Sequence, residues 1–92
     1  MSKPNVVVYT SDGCHYCERV LNHLNEWDID YTEKNISQND AYYKEMRENK
    51  VYGTPVTFID GEKLLGFQKR KFKKLLGIDE VSTYIRQRNL SY

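Results

Sequence analysis

Cys14 and Cys17 supply all the thiol chemistry of this chain, and they lie two residues apart in Ser11-Asp12-Gly13-Cys14-His15-Tyr16-Cys17-Glu18. A thiolate attacks a disulfide sulfur, and a second thiol within reach can then displace whatever the first has captured. Stepping outward, Val6-Val7-Val8-Tyr9-Thr10 is apolar and β-branched and reads as a strand, while Val20, Leu21, Leu24 and Trp27 recur at helical spacing. The C-x-x-C therefore sits where a strand ends and a helix begins, a setting in which this spacing reads as redox chemistry. The first turn of a helix leaves N–H groups unpaired and carries partial positive charge. Cys14 should therefore ionise below the ~8.5 of a free thiol and act as nucleophile. Cys17, one turn further in, should be more buried and act as the resolving thiol. An imidazolium at His15 would favour the Cys14 thiolate, the alternative being a solvated loop histidine. Asp12 and Glu18 oppose it through their negative charge, and the helix terminus should outweigh them.

The same pair could be half of a zinc site. Zinc takes four ligands, and the remaining candidates are His15 and His23. His15 lies between the cysteines, where ring and sulfurs do not converge, and His23 is too far along the helix to close a site. Redox exchange is the reading adopted, with no metal expected and a metal-binding module as the alternative.

Composition bounds the rest. Ninety-two residues with a net charge of +1 and 39% hydrophobic content suit one soluble domain over residues 1–92. No apolar run reaches the ~18 residues of a membrane span. Met1-Ser2-Lys3-Pro4 leads straight into the first strand without a signal-peptide layout, which points to a reducing, cytoplasmic setting. There a close cysteine pair is catalytic or metal-binding rather than a structural staple. The near-neutral charge gives no support for nucleic-acid binding.

Along the chain, the first strand spans about 5–10 and the first helix about 15–27. Val20, Leu24 and Trp27 form its inner stripe, with Glu18, Arg19, Asn22 and Glu26 outside. A second strand over about 30–35 completes a right-handed βαβ unit. Ser37 reads as the N-cap of a helix reaching about Asn49, with Asp40 completing an imperfect capping box. Thr54-Pro55 precedes a third strand, Val56–Ile59; Asp60-Gly61 signals a hairpin, and a fourth strand runs from Glu62 to Gly66. A helix over about 68–76 buries Phe72, Leu75 and Leu76 and stops at Gly77, and a last helical segment covers about 79–88. The expected fold class is α/β: a four-stranded mixed sheet, made of a parallel βαβ and an antiparallel β-hairpin, with helices on both faces.

Tyr9-Thr10, then Cys14-x-Tyr16-Cys17, then Pro55-Val56-x-Phe58-Ile59 and Gly66 resemble a glutaredoxin of the thioredoxin superfamily over about residues 5–76. The resemblance implies a thioredoxin-like fold, a redox disulfide between Cys14 and Cys17, a cis bond before Pro55, and no tightly bound cofactor. It also implies that the backbone of Thr54 pairs with a disulfide-containing protein substrate, with His15, Tyr16, Pro55, Gly66 and Phe67 beside it. The chain departs from glutathione-using members at two anchors. Ser11 replaces their Lys or Arg, and Gly66-Phe67-Gln68-Lys69-Arg70 replaces Gly-Gly-x-Asp-Asp. A single glycine followed by Phe67 is similar to NrdH-type redoxins, which draw electrons from thioredoxin reductase, whereas Tyr16 is glutaredoxin-like. The expected electron donor is thus thioredoxin reductase, with glutathione as the alternative co-substrate. An iron–sulfur cluster bridging two chains is a further family variant of the metal-binding alternative; a monomer is expected here.

Lys69, Arg70, Lys71, Lys73 and Lys74 crowd one short stretch, and read as a solvated helix face ahead of a docking patch for an acidic partner. Tyr42, Tyr43, Tyr52 and Tyr84 are expected to pack, and Tyr16 to be exposed beside Cys14.

Overall fold

The computed structural model describes residues 4–78. Seven elements follow in the order β1 (Val6–Thr10), α1 (His15–Glu26), β2 (Thr32–Asn35), α2 (Asp40–Glu48), β3 (Val56–Ile59), β4 (Glu62–Leu65) and α3 (Lys69–Leu76). They make a four-stranded sheet in the order β2-β1-β3-β4, in which β1 pairs parallel with β2 and antiparallel with β3, and β3 pairs antiparallel with β4. The expected thioredoxin-like architecture is present. The segment over about 79–88, with Val81, Tyr84 and Ile85, lies outside the described residues.

Position in the sheet explains each strand's sequence. β1 is central and covered on both faces, so it is apolar almost throughout, as buried strands are. The edges, β2 (Thr-Glu-Lys-Asn) and β4 (Glu-Lys-Leu-Leu), carry charges that discourage further strand pairing. Asp60 and Gly61 both take positive φ, 50° and 90°, the conformation a two-residue hairpin turn requires.

Alternation along β1 sends successive side chains to opposite faces. Val6 and Val8 join Ile59 and Leu64 beneath Val20 and Leu24 of α1 and Phe72 of α3. Tyr9 joins Val56 and Val51 beneath Met46 of α2 on the other face. Leu24 is wholly buried, which is worth about 1.5–3 kcal/mol relative to exposure. A polar network also holds α2 to the sheet. The Tyr9 hydroxyl donates to Glu45 Oε1 at 2.7 Å, and Lys34 Nζ reaches the same oxygen at 2.8 Å. Burial, and then that hydrogen bond, push the Tyr9 phenol well above its ordinary range. The Lys34 and Tyr9 donors hold Glu45 below the usual carboxylate range.

Three sequence expectations are corrected. The N-cap of α2 is Asn39, whose side chain accepts from Ala41 N–H at 2.9 Å. Ser37 instead belongs to an Asx turn, its N–H donating to Asn35 Oδ1 at 2.8 Å. Asn and Ser cap about equally well, so the bonds already formed around Asn35 decide between them. Tyr43 and Tyr52 do not pack: they are 39% and 69% exposed. Strand β4 ends at Leu65, because Gly66 turns away at φ 70° while its N–H still bonds Pro55 O.

Candidate active site

Gly13, at φ 74°, turns the chain out of β1 and delivers Cys14 to the start of α1. Glycine takes this conformation without a Cβ clash. Cys14 is the N-cap residue, extended at φ −95° and ψ 107°. Its carbonyl accepts from Glu18 N–H at 3.2 Å, and its Sγ accepts from Cys17 N–H at 3.1 Å. Sulfur thus occupies the place that a Ser or Asp oxygen commonly takes at a helix start. A charge on that atom meets a backbone donor and the positive end of the helix. Cys14 is half-buried while Cys17 is 3% exposed, so an incoming molecule meets Cys14 first. The two sulfurs are joined as a disulfide, with Cα atoms 5.2 Å apart.

The second half of the site comes from the loop before β3. The Thr54–Pro55 bond is cis. Thr54 Oγ1 donates toward Cys14 Sγ at 3.9 Å and lies 2.6 Å from Ser11 Oγ. Ser11 and Thr54 thus meet as a hydroxyl pair beside the sulfur. Pro55 O is engaged by Gly66 N–H at 2.9 Å, whereas Thr54 makes no turn or loop backbone hydrogen bond among the described residues. Beside it runs a groove of about 360 Å³ lined by Lys50, Tyr52, Thr54, Pro55, Leu65 and Gly66, among others.

Cys14, Cys17, Thr54, Pro55 and Gly66 are therefore gathered at one edge of the molecule. His15 and Tyr16 occupy the first turn of α1 and are exposed, Tyr16 at 60%, with the Arg19 guanidinium 5.7 Å over its ring. Phe67 turns the other way. Its ring lies 4.7 Å from that of His23 and 5.9 Å from that of Phe72, and it does not line the groove. His23 also faces Trp27, and its Nδ1 lies 3.0 Å from Arg19 O. Among the described residues, no group of three or more His, Cys, Asp or Glu side chains is placed to hold a metal ion. No helix there is long and apolar enough to cross a membrane.

One part of the site was missed by sequence reasoning. Asp12 N–H donates to Ser37 Oγ at 3.0 Å, and Asp12 Oδ1 accepts from Asn35 Nδ2 at 3.1 Å and Gln38 Nε2 at 3.3 Å. These bonds tie the dithiol loop to the loop after β2. Asn35-Ile36-Ser37 carries the signal of an Asx turn, but its contact with Asp12 arises only because β1 and β2 lie side by side.

Residues 6–64 match the family model for glutaredoxin. The chain belongs to the glutaredoxin family. It is 31% identical over 72 residues to an uncharacterised glutaredoxin-like 8.6 kDa protein in the rubredoxin operon of Clostridium pasteurianum, a match spanning 77% of this chain and 96% of that protein. The crystal structure of the thioredoxin-like protein BC3987 superposes with a TM-score of 0.74 at 32% identity, covering 78% of this chain and all (100%) of that one. NrdH-redoxin from Escherichia coli, glutaredoxin-like with a thioredoxin-like activity profile, superposes at 0.70 with 17% identity, over 77% of this chain and 93% of its own. At that identity the likeness speaks for the fold alone. Glutaredoxin membership together with the C-x-x-C supports thiol–disulfide redox function, in a family that works on disulfides without a tightly bound cofactor.

Proposed function

We propose that this glutaredoxin-family chain is a dithiol–disulfide oxidoreductase that reduces protein or mixed disulfides. Cys14 thiolate attacks one sulfur of a substrate disulfide, forming a Cys14–substrate bond and releasing the other sulfur as thiolate. Cys17 then attacks Cys14 Sγ, releases the second substrate thiolate and leaves the Cys14–Cys17 disulfide. Two electrons pass to the substrate, and the released thiolates take up protons. The observation that carries this reading is the placement of Cys14 Sγ on the Cys17 N–H at a helix start, facing the Thr54–Pro55 bend. The unengaged Thr54 backbone supports pairing with an extended substrate segment along Gly66, with His15 and Tyr16 exposed next to Cys14 in sequence to meet it. Phe67 shapes this edge from behind, through His23 and Phe72.

Thioredoxin reductase is the preferred electron donor. Ser11 is engaged with Thr54 rather than offering a cation to a carboxylate, and Lys69 and Arg70 stand where acidic partners for an ammonium group would be needed. Glutathione is the second reading. A dithiol recharged after every turnover fits a reducing, cytoplasmic setting.

The test uses insulin disulfide reduction, with each donor system supplied separately. Cys14→Ser should abolish reduction, and Cys17→Ser should accumulate a substrate–Cys14 adduct visible by intact mass. Activity retained in Cys14→Ser would end the reading. Rapid turnover with glutathione and glutathione reductase alone would reverse the donor preference.

A further inference from the structure

The large apolar side chains exposed among the described residues are Tyr16, Tyr43, Tyr52 and Leu65. They are not scattered. Tyr16 is two residues beyond Cys14, and Tyr52 and Leu65 line the groove beside Pro55. Tyr43 is joined to Tyr52 through Arg47: the guanidinium lies 5.7 Å from the Tyr43 ring centroid and 5.3 Å from that of Tyr52, and Nη1 donates to the Tyr43 hydroxyl at 3.1 Å. Exposed apolar side chains clustered like Tyr43, Tyr52 and Leu65 mark an interaction site, and Tyr and Arg are the residue types that anchor protein interfaces.

Arg47 is the unusual member. A guanidinium carries five N–H donors, and one is used on Tyr43. The ion pairs among the described residues that involve α2 are Lys34–Glu45 and Lys44–Asp40, and neither engages Arg47. Two rings hold the planar fork in place at the surface, which lowers the ordering cost of each hydrogen bond it makes to an incoming carboxylate. The charged side chain lining the groove itself is Lys50, also a cation.

We propose that Tyr43, Arg47 and Tyr52 form an anchor for a carboxylate on the protein substrate. The substrate class is then an acidic polypeptide segment, with an apolar side chain seated between Tyr52 and Leu65 while its disulfide meets Cys14. This rests on the dithiol reading above and adds to it which disulfides are chosen. Because Tyr52 both lines the groove and stacks on Arg47, a segment in the groove passes beside the guanidinium.

The test is single-turnover reduction of two synthetic peptides by the pre-reduced protein, so that two electrons and two protons pass from the Cys14–Cys17 dithiol to the peptide disulfide without another reductant. Both peptides carry one intramolecular disulfide and a leucine beside it; one has flanking glutamates, the other glutamines. Wild type should reduce the glutamate peptide roughly three- to fivefold faster at low salt, the size of one exposed ion pair. The ratio should fall to about one in Arg47→Gln, and shrink with added salt as the charges are screened. Lys44→Gln, which removes a cation from the same helix, should leave the ratio intact. Equal rates with wild type, or an unaltered ratio in Arg47→Gln, would overturn the anchor while leaving the dithiol reading standing. Reduction of neither peptide would instead overturn the dithiol reading. A glutathione mixed disulfide of the glutamine peptide, slowed by Arg47→Gln as much as the glutamate peptide, would show that the fork reads glutathione and overturn the polypeptide assignment.

Discussion

Replacing Thr54 by valine keeps the shape of the residue before the cis-proline and deletes one hydroxyl. That hydroxyl lies 3.9 Å from Cys14 Sγ and 2.6 Å from Ser11 Oγ. Ser11 is half-exposed and can turn its hydroxyl to water, so the main effect falls on the sulfur. A hydrogen bond to a charged group is worth about 1.5–3 kcal/mol at good geometry. At 3.9 Å this one is long, and we take about 0.7 kcal/mol, roughly half of the lower end of that range. One pKa unit corresponds to ~1.36 kcal/mol, so losing the donor should move the ionisation midpoint of Cys14 up by about half a unit. The sign follows from which form is favoured: the hydroxyl stabilises thiolate, so its removal favours thiol. Below the midpoint of the titration the thiolate fraction then falls roughly threefold, and alkylation by iodoacetamide slows in proportion. The assay is ultraviolet thiolate absorbance against pH on reduced protein, in a Cys17→Ser background that isolates Cys14. Ser11→Ala should have a smaller effect, because Ser11 reaches the sulfur only through Thr54. An unchanged or lowered midpoint in Thr54→Val, or a larger shift in Ser11→Ala, would refute the reasoning.

Two further predictions concern the scaffold. Glu45 is held below the usual carboxylate range by Lys34 and Tyr9, so its contribution to stability is full above the ordinary glutamate range and is lost as the pH falls through the folded value. Urea unfolding should therefore show wild type and Glu45→Gln converging as the pH drops below about 4.3, and a gap that stays constant with pH would count against the network. Thr57 is wholly buried between Val8 and Leu64 in the sheet, and its Oγ1 has no hydrogen-bond partner among the described residues. Thr57→Val should stabilise the fold by about 1 kcal/mol, since it removes an unsatisfied hydroxyl at nearly constant shape; a lowered melting temperature would show that the hydroxyl is satisfied after all.

Much of the site was legible before any coordinates because its chemistry is local. Cys14 and Cys17 are fixed relative to each other by one helical turn, and Gly13 and the apolar run through Thr10 fix where that turn begins. The fold class followed from the same kind of information: the β-branched run of β1, the Asp60-Gly61 turn and the helical spacing of Val20 and Leu24 each act over a few residues. Phe67 shows the limit, since its side chain packs on His23 and Phe72, and which way it turns depends on a helix far away in the chain.

What the order of residues determined by itself was therefore the dithiol, its place at a helix start and the alternation of strands and helices around it. Only the tertiary structure decided that Ser11 and Thr54 meet at the sulfur, that Asp12 is tied to Ser37, and that Tyr52 meets Leu65 across the proline groove. The physical reason is the same in each case. These contacts join segments brought together by the pairing of β1 with β2 and β3 and of β3 with β4, and no propensity or spacing within a single segment encodes its partner across the sheet.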